Sequence, residues 1–304
     1  MEKVIVVIGP TSVGKTKMGV ALAKKFNGEV ISGDSMQIYK QMDIGTAKVT
    51  EEEKEGIIHH CVDILNPDET YSVHDFQQTV RKKITEITQR GHVPIIVGGT
   101  GLYIKAALYD YQFDEMENDH HAINEKYKDY TNEQLHDHLK SIDEESAKIL
   151  HFNNRRRVLR AIEIYETTGK RKSEMLEEQE HICLYDAYFV GLTLPRDVLY
   201  ERINKRVDVM MENGLKEEMD CLYSQGLTRN HQSMKAIGYK EWFDYYDHQI
   251  DLNDVLELIK KHSRQYAKRQ YTWFKNQFDV HWYDVNLENF EQTIEQVTDD
   301  IEKS

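Results

Sequence analysis

Eight consecutive residues, Gly9-Pro10-Thr11-Ser12-Val13-Gly14-Lys15-Thr16, have the types and spacing to hold phosphate groups. They fit G-x-x-x-x-G-K-[ST], in which successive backbone N–H groups and a helix N-terminus wrap the phosphate oxygens. Lys15 adds a mobile positive charge, and the Thr16 hydroxyl is suited to ligate Mg²⁺. The cradle by itself leaves the ligand open between ATP and another phosphorylated molecule.

Other residues have types that suit chemistry on a held phosphate. Asp34, in Ser32-Gly33-Asp34-Ser35-Met36-Gln37-Ile38-Tyr39, either takes a proton from an acceptor or caps the next turn through its side chain. In Gly98-Gly99-Thr100-Gly101, Thr100 is placed to hydrogen-bond a substrate that the glycines admit closely, or the four residues make a tight strand-to-helix turn. Arg202 and Arg206 are four apart, so both point from one helical face, toward a leaving diphosphate or toward solvent and their acidic neighbours. Lys261, Arg264, Lys268, Tyr271 and Lys275 recur at spacings of three and four, and Lys260 to Phe278 holds no Asp or Glu, which draws a basic stripe fit for a polyanion. His59-His60-Cys61 and Asp119-His120-His121 lack the spacing of a metal site, since adjacent histidines point to different faces.

These residues need a scaffold, and the pattern supplies one. Val4 to Ile8 is an unbroken β-branched run feeding the glycine-rich turn and then a helical pattern from Lys17 to Phe26. Glu29 to Ser32 reads as a second strand and Val93 to Val97 as another. Ser72 caps a helix, with Asp75 three residues on and Phe76, Val80, Ile84 and Ile87 along one face, and Leu102 to Leu108 reads as a further helix. Strands alternating with helices imply a parallel sheet, with ligands at the carboxyl edge of the strands. The fold class is therefore α/β: a P-loop NTPase-like parallel sheet flanked by helices, with an inserted all-helical domain at 113–184, where strand signals vanish. The core comprises 1–112 plus 185–304. Tyr185 to Leu194 restores a strand, and helices are predicted over Val198 to Met211, Leu215 to Gln225, Lys235 to Tyr246, Leu252 to Phe274 and the last fifteen or so residues.

Composition narrows the class further. Across 304 residues the net charge is −14, which excludes a diffuse, charge-driven nucleic-acid binder and requires any polyanion to meet a local basic patch. Three scattered cysteines suggest neither a disulfide framework nor a Cys-x-x-Cys metal site, so a reducing compartment is expected. The apolar start before Gly9 is too short for a signal segment or a membrane span.

Taken together, the segments resemble the tRNA dimethylallyltransferases, also called tRNA isopentenyltransferases, over nearly the whole chain. The resemblance rests on GPTSVGKT (9–16), SGDSMQIYKQMDIGTAK (32–48), HHCVDI (59–64), YSVHDF (71–76), the stretch 97–108, NRRRVLRAIEIYETTGK (154–170), AIGYKEW (236–242) and YAKRQYTWF (266–274). It implies transfer of the dimethylallyl group from dimethylallyl diphosphate to N6 of the adenosine just 3′ of the anticodon. It further implies that Gly9 to Thr16 and Arg206 hold the diphosphate with Mg²⁺ on Thr16, that Asp34 is the base, and that Thr100 orients the adenine. Asp34, Ser35, Met36 and Gln37 match the stretch contacting the flipped nucleotide. Arg156, Arg157, Val158, Leu159 and Arg160, with Arg264, Lys268 and Arg269 by inference, would grip the anticodon stem and loop. A cytoplasmic enzyme working as a single chain, with tRNA as partner and no membrane, is expected.

One departure is that relatives carry an arginine shortly after the helix following Gly-Gly-Thr, where this chain reads FDEMENDHHAIN at 113–124. The rival class is a small-molecule kinase, which the cradle and Asp34 would also serve and which predicts MgATP binding and phosphoryl transfer. A prenyltransferase acting on a free adenine nucleotide and a non-catalytic RNA-binding module are the remaining alternatives.

Overall fold

The computed structural model of the chain describes residues 1–111, 120–177 and 181–304. They form two compact units, one of residues 1–109 and 183–304, the other of residues 110–182. Along the first unit run β1 (Lys3–Ile8), α1 (Lys15–Lys25), β2 (Gly28–Ser32), α2 (Glu51–Lys54), β3 (His59–His60), α3 (Val73–Gln89), β4 (Val93–Val97) and α4 (Gly101–Leu108). The second unit holds α5 (His120–Lys126), α6 (Asn132–Ile142), α7 (Glu144–Ile149), α8 (Arg155–Thr168) and α9 (Lys172–Glu177). The chain returns to the first unit with β5 (Asp186–Thr193), α10 (Arg196–Glu212), α11 (Leu215–Ser224), α12 (Trp242–Tyr246), α13 (Leu252–Gln277), β6 (His281–Asp284) and α14 (Phe290–Lys303).

The strands lie in the order β3-β2-β4-β1-β5-β6, and each of the five neighbour pairs is parallel. β1 is central, with Val6 opposite Ile96 of β4 on one side and Phe189 of β5 on the other. Its side chains alternate between two layers. Val4, Val6 and Ile8 enter a core with Phe76 and Ile84 of α3 and Ile104 of α4, while Ile5 and Val7 enter a second core with Met18 and Leu22 of α1 and Val297 of α14. Burial on both faces is why β1 reads as an unbroken apolar run rather than an alternating one. Because the strand order reverses beside β1, the loops after β1, β2 and β4 meet at one carboxyl edge.

At the opposite edge, Glu29 at the start of β2 is 2% exposed and collects three basic partners. Arg90 donates to it through Nε at 3.0 Å and Nη2 at 2.8 Å, and His60 Nε2 and His92 Nδ1 lie at 2.6 and 2.7 Å. Burial alone would push this carboxyl up, but its hydrogen bonds to Arg90, His60 and His92 bring it down to about 2. His60 is thus part of a structural ion cluster. His59 Nδ1 meets the Ile57 carbonyl at 2.9 Å. Glu29→Gln is expected to cost about 1 to 3 kcal/mol, the usual range for losing hydrogen bonds to a charged group, since Arg90 is half-exposed and remains solvated; the loss is read as a lowered denaturant midpoint. Since the folded carboxyl lies below its ordinary 4.5, the Glu29 contribution is present above that pH and fades as pH falls toward 2.

Two parts of the sequence reading need correction. Lys235 to Tyr246 is not one long helix: a 3₁₀ turn at Ser233–Lys235 is followed by Gly238 at φ +97°, and α12 begins only at Trp242. The break is held by side chains, since Gly238 N–H donates to Glu241 Oε2 at 2.9 Å and Trp242 Nε1 donates to the Gly238 carbonyl at 2.9 Å. Two short edge strands, β3 and β6, also lacked any predicted counterpart. They are two and four residues long, too short to show a period.

In the second unit, Leu135 and Leu139 of α6 pack on Val158, Ala161 and Ile162 of α8. Asp143 ties the unit together by accepting Ser146 N–H at 3.0 Å and Ser173 Oγ at 2.7 Å. The stretch at 113–124 begins in residues outside those described, as does the Asp119-His120-His121 run.

Candidate active site

The β1-to-α1 loop needs two unusual backbone conformations, and glycine supplies them: Gly9 at φ +143° and Gly14 at φ +103°. Ser12, at φ +67°, is the non-glycine exception, and its buried Oγ has no hydrogen-bond partner among the described residues. Lys15 opens α1, and its ammonium donates to the carbonyls of Gly9 and Pro10 at 3.1 and 2.8 Å. Burial, then the neighbouring Arg206 charge, draw Lys15 down to about 7, with Asp34 pulling the other way.

Arg202 and Arg206, on α10, both reach this loop. Arg202 Nε donates to the Ser12 carbonyl at 3.0 Å, and Arg206 Nη1 lies 3.4 Å from Thr11 Oγ1. Burial lowers the pKa of Arg206, with Glu53 and Asp34 acting against that. Guanidinium remains charged under such a shift, so the loop faces a fixed cation beside a titratable one.

Asp34 follows β2 at the same edge. Its Oδ1 accepts the Met36 N–H at 2.8 Å, so the turn-capping role is present. Burial nevertheless raises its pKa, against the hydrogen bonds from Met36 and Gln37 and the charges of Lys15 and Arg206. A carboxylate poised in this way is a stronger base than a solvated one. Thr100 holds the Asp34 loop from the β4 side: its Oγ1 accepts the Ser35 N–H at 3.1 Å, and its own N–H donates to the Gly33 carbonyl at 3.2 Å.

The glycines around Thr100 serve packing rather than substrate entry. A Cβ on Gly98 would lie 2.3 Å from the Gly33 backbone, and one on Gly99 would lie 2.2 Å from Gln270 Nε2. Gln270 is a residue that sequence reasoning missed. From α13 it accepts the Thr11 N–H at 2.9 Å and donates to the Gly99 carbonyl at 3.0 Å, which joins the phosphate loop to the β4 loop. Tyr266, one turn earlier, donates to the same carbonyl at 3.3 Å. The available signal was a glutamine on the apolar face of α13, between Ala267 and Phe274, where a polar side chain requires partners.

Two adjoining cavities, of about 340 and 560 Å³, open on these residues and share Thr11, Ser12, Asp34, Thr46, Ala47 and Arg206. The larger continues over Lys15, Thr16, Arg202 and Lys205, a cationic wall whose chemistry suits an anion. The smaller continues past Met36, Ile203, Met210, Ile237 and Tyr266, a partly apolar pocket with Lys235, Lys240 and Arg269 also in its wall. Asp34 and Arg206 therefore stand where a charged group on one side would meet an apolar or aromatic group on the other. The fit to Mg²⁺ rests on oxygen donors: Thr16 lines the larger cavity with Asp34 and Glu53, and no trio of His, Cys, Asp or Glu suited to a metal occurs among the described residues. A cation there would take most of its ligands from a bound diphosphate and water, as Mg²⁺ commonly does.

The basic residues separate by exposure. Arg156 and Arg157 are exposed on α8 and Arg160 is half-buried, paired with Glu163 at 2.8 Å. Val158 and Leu159 are corrected here, for their side chains are 0% and 6% exposed in the core of the helical unit and are not available for surface contact. On α13, Lys268 and Arg269 are exposed, with the Arg269 guanidinium 5.8 Å from the centre of the Tyr266 ring. Arg264 is half-buried and donates to Asn204 Oδ1.

The family model described as IPP transferase matches residues 37–277. The tRNA dimethylallyltransferase of Bacillus cereus strain AH187 is 54% identical over 287 residues, covering 93% of this chain and 90% of that protein. Among solved structures, the chain is similar to a tRNA delta(2)-isopentenylpyrophosphate transferase from Staphylococcus epidermidis, with a TM-score of 0.75 and 47% identity, covering 100% of this chain and 99% of that one. It is also similar to a eukaryotic dimethylallyltransferase acting on tRNA, with a TM-score of 0.86 and 33% identity, covering 98% of this chain and 78% of that one.

Proposed function

The chain belongs to the IPP transferase family, the tRNA dimethylallyltransferases, and from that premise we propose how its residues divide the work. The enzyme transfers a dimethylallyl group to N6 of the adenosine 3′-adjacent to the anticodon in tRNA. We assign dimethylallyl diphosphate as donor, with its diphosphate in the larger cavity, against the Gly9 to Thr16 amides, Lys15, Arg206 and Arg202. The allyl group then points to the partly apolar cavity, where the adenine enters past Met36, Tyr266 and Arg269.

The reaction is a substitution at the allylic carbon. The adenine N6 forms a bond to that carbon while the carbon–oxygen bond to diphosphate breaks, and the electron pair leaves with the oxygen. Because the N6 lone pair is delocalised into the ring, its attack needs the proton removed as the bond forms, and Asp34 takes it. Negative charge collects on the departing diphosphate, where Lys15, Arg206 and the loop amides meet it. Mg²⁺, held by Thr16, would add charge neutralisation on the same oxygens. Thr100 keeps the Asp34 loop in place and, by its match to the family, orients the adenine. The observation that carries this reading is the pair Asp34 and Arg206 on the wall common to a cation-lined cavity and a partly apolar one.

The tRNA grip is assigned to exposed cations in each unit, Arg156 and Arg157 in one and Lys268 and Arg269 in the other, with Arg160 and Arg264 beside them. Ser35 and Gln37 would contact the flipped nucleotide. A single chain in the cytoplasm is the proposed working form; its cysteines are free thiols, and among the described residues no helix is long and apolar enough to cross a membrane.

The assay incubates the protein with Mg²⁺, labelled dimethylallyl diphosphate and unmodified tRNA. Label is expected in tRNA, with no γ-phosphate transfer from ATP in a parallel reaction. Phosphate transfer from ATP without prenylation of tRNA would refute the assignment.

A further inference from the structure

We propose that Glu218, on α11, is a positioning residue for the acceptor side of the site. One carboxylate there gathers four hydrogen bonds from two other segments. Glu218 Oε2 accepts the N–H groups of Asp43 and Ile44 at 2.8 and 2.7 Å, and Oε1 accepts the Gly45 N–H at 3.1 Å and the Tyr239 hydroxyl at 2.6 Å. Successive backbone N–H groups converging on an anion form a nest, and hydrogen bonds to an ionised acceptor are about twice as strong as neutral ones. The segment is therefore anchored from outside itself, across 173 residues of sequence.

What is anchored is a wall of the site. Thr46 and Ala47, which directly follow the nest, line both cavities, and Gly45 lines the smaller. The carbonyls of Thr46 and Ala47 face Gln37 Nε2 at 3.4 and 3.3 Å, while Gln37 Oε1 accepts from Ser32 Oγ at 3.0 Å. The Gln37 amide is thus oriented on one side by β2 and on the other by the segment that Glu218 holds. Tyr239 completes the seat: a Cβ on Gly45 would lie 2.5 Å from its ring, so only glycine lets the segment settle onto that fully buried tyrosine. The break at Gly238, absent from the predicted long helix, is what sets Tyr239 here. None of these residues belongs to the phosphate loop, and Gly45, where the segment is seated on Tyr239, lines the smaller cavity alone, so although Thr46, Ala47 and Gln37 border the larger one, lifting the segment is felt first on the acceptor side.

This inference rests on the reading of Gln37 as an RNA contact, and its test separates the two. Steady-state kinetics and direct tRNA and dimethylallyl diphosphate binding are compared for wild type, Glu218→Ala, Glu218→Gln and Gly45→Ala. Displacing a site wall by about an ångström typically costs about 100-fold. Glu218→Ala is expected to lower kcat/KM for tRNA by about 10- to 100-fold, with diphosphate-substrate affinity within about twofold of wild type. Glu218→Gln, which keeps one carbonyl oxygen for the nest, recovers part of the loss. Gly45→Ala, which leaves the carboxylate intact and lifts the segment off Tyr239, reproduces the defect even if Glu218→Ala fails to fold. Equal loss toward both substrates, or wild-type kcat/KM in folded Gly45→Ala and Glu218→Gln, overturns the role of Glu218. Loss of tRNA transfer by the wild type itself would instead count against the assigned function.

Discussion

Asp34→Asn is expected to lower dimethylallyl transfer about 10³-fold, within the usual range for a general base, while tRNA affinity changes less than about threefold. The substitution is chosen because Asp34 does two things at once. Its Oδ1 caps a turn by accepting the Met36 N–H, and its carboxylate stands between two cavities under a raised pKa caused by burial. Asparagine keeps a carbonyl oxygen for the cap and removes the basicity, so the two roles come apart. If the cap were the whole role, Asp34→Asn would stay within about tenfold of wild type in single-turnover assays with both substrates saturating. Asp34→Ala removes both roles and is expected to be no more active. The pH profile gives a second readout. A base works deprotonated, so wild-type transfer falls as pH drops through the raised pKa of Asp34, and that acid limb is lost from the residual activity of the variant.

Which parts of this site could be read from the residues follows from how far apart the interacting groups lie. The phosphate loop was legible because its chemistry is contiguous: glycines at positive φ, a lysine and a threonine within eight residues, between an apolar run and a helix. Ser72 and Asp75 were legible for the same reason, since a capping box closes over three residues. Gln270 was legible only in part: its place on the apolar face of α13 signals a need for partners, but the partner itself, Thr11, lies 259 residues away. Glu218 reads as one more acid on an acidic helix until the nest at Asp43 to Gly45 is placed beneath it. The glycines of 98–101 show the converse. Their lack of side chains left open close approach by a substrate or a tight strand-to-helix turn, and the space they leave is taken by the Gly33 backbone, Gln270 and Trp273. Helix period misled at Gly238, where hydrogen bonds to Glu241 and Trp242 outweigh the pattern. Val158 and Leu159 sat inside an arginine-rich motif, and only packing against α6 separates the core residues of that motif from its surface.

Lys15→Met is expected to weaken dimethylallyl diphosphate binding and to lower transfer by about 10²- to 10³-fold, the usual consequence of removing one preorganised partner of developing negative charge. The lysine also predicts a proton balance. Burial and the adjacent Arg206 bring it to about 7, so above that pH much of the free protein carries a neutral amine. A diphosphate beside it favours the ammonium, so binding at pH 8 draws a proton from solution. Calorimetry in two buffers of different ionisation enthalpy measures that uptake directly. Lys15→Met abolishes it along with affinity, whereas Lys15→Arg abolishes it while retaining charge, because guanidinium is already protonated. Unchanged uptake in Lys15→Arg would sink the assignment. Arg206→Ala provides the coupled result: without the guanidinium that repels it, Lys15 titrates higher and uptake at pH 8 shrinks, even as transfer falls through loss of a leaving-group partner. A protein in which uptake and transfer fall together at Arg206, but separate at Lys15→Arg, has its two cations acting on one diphosphate.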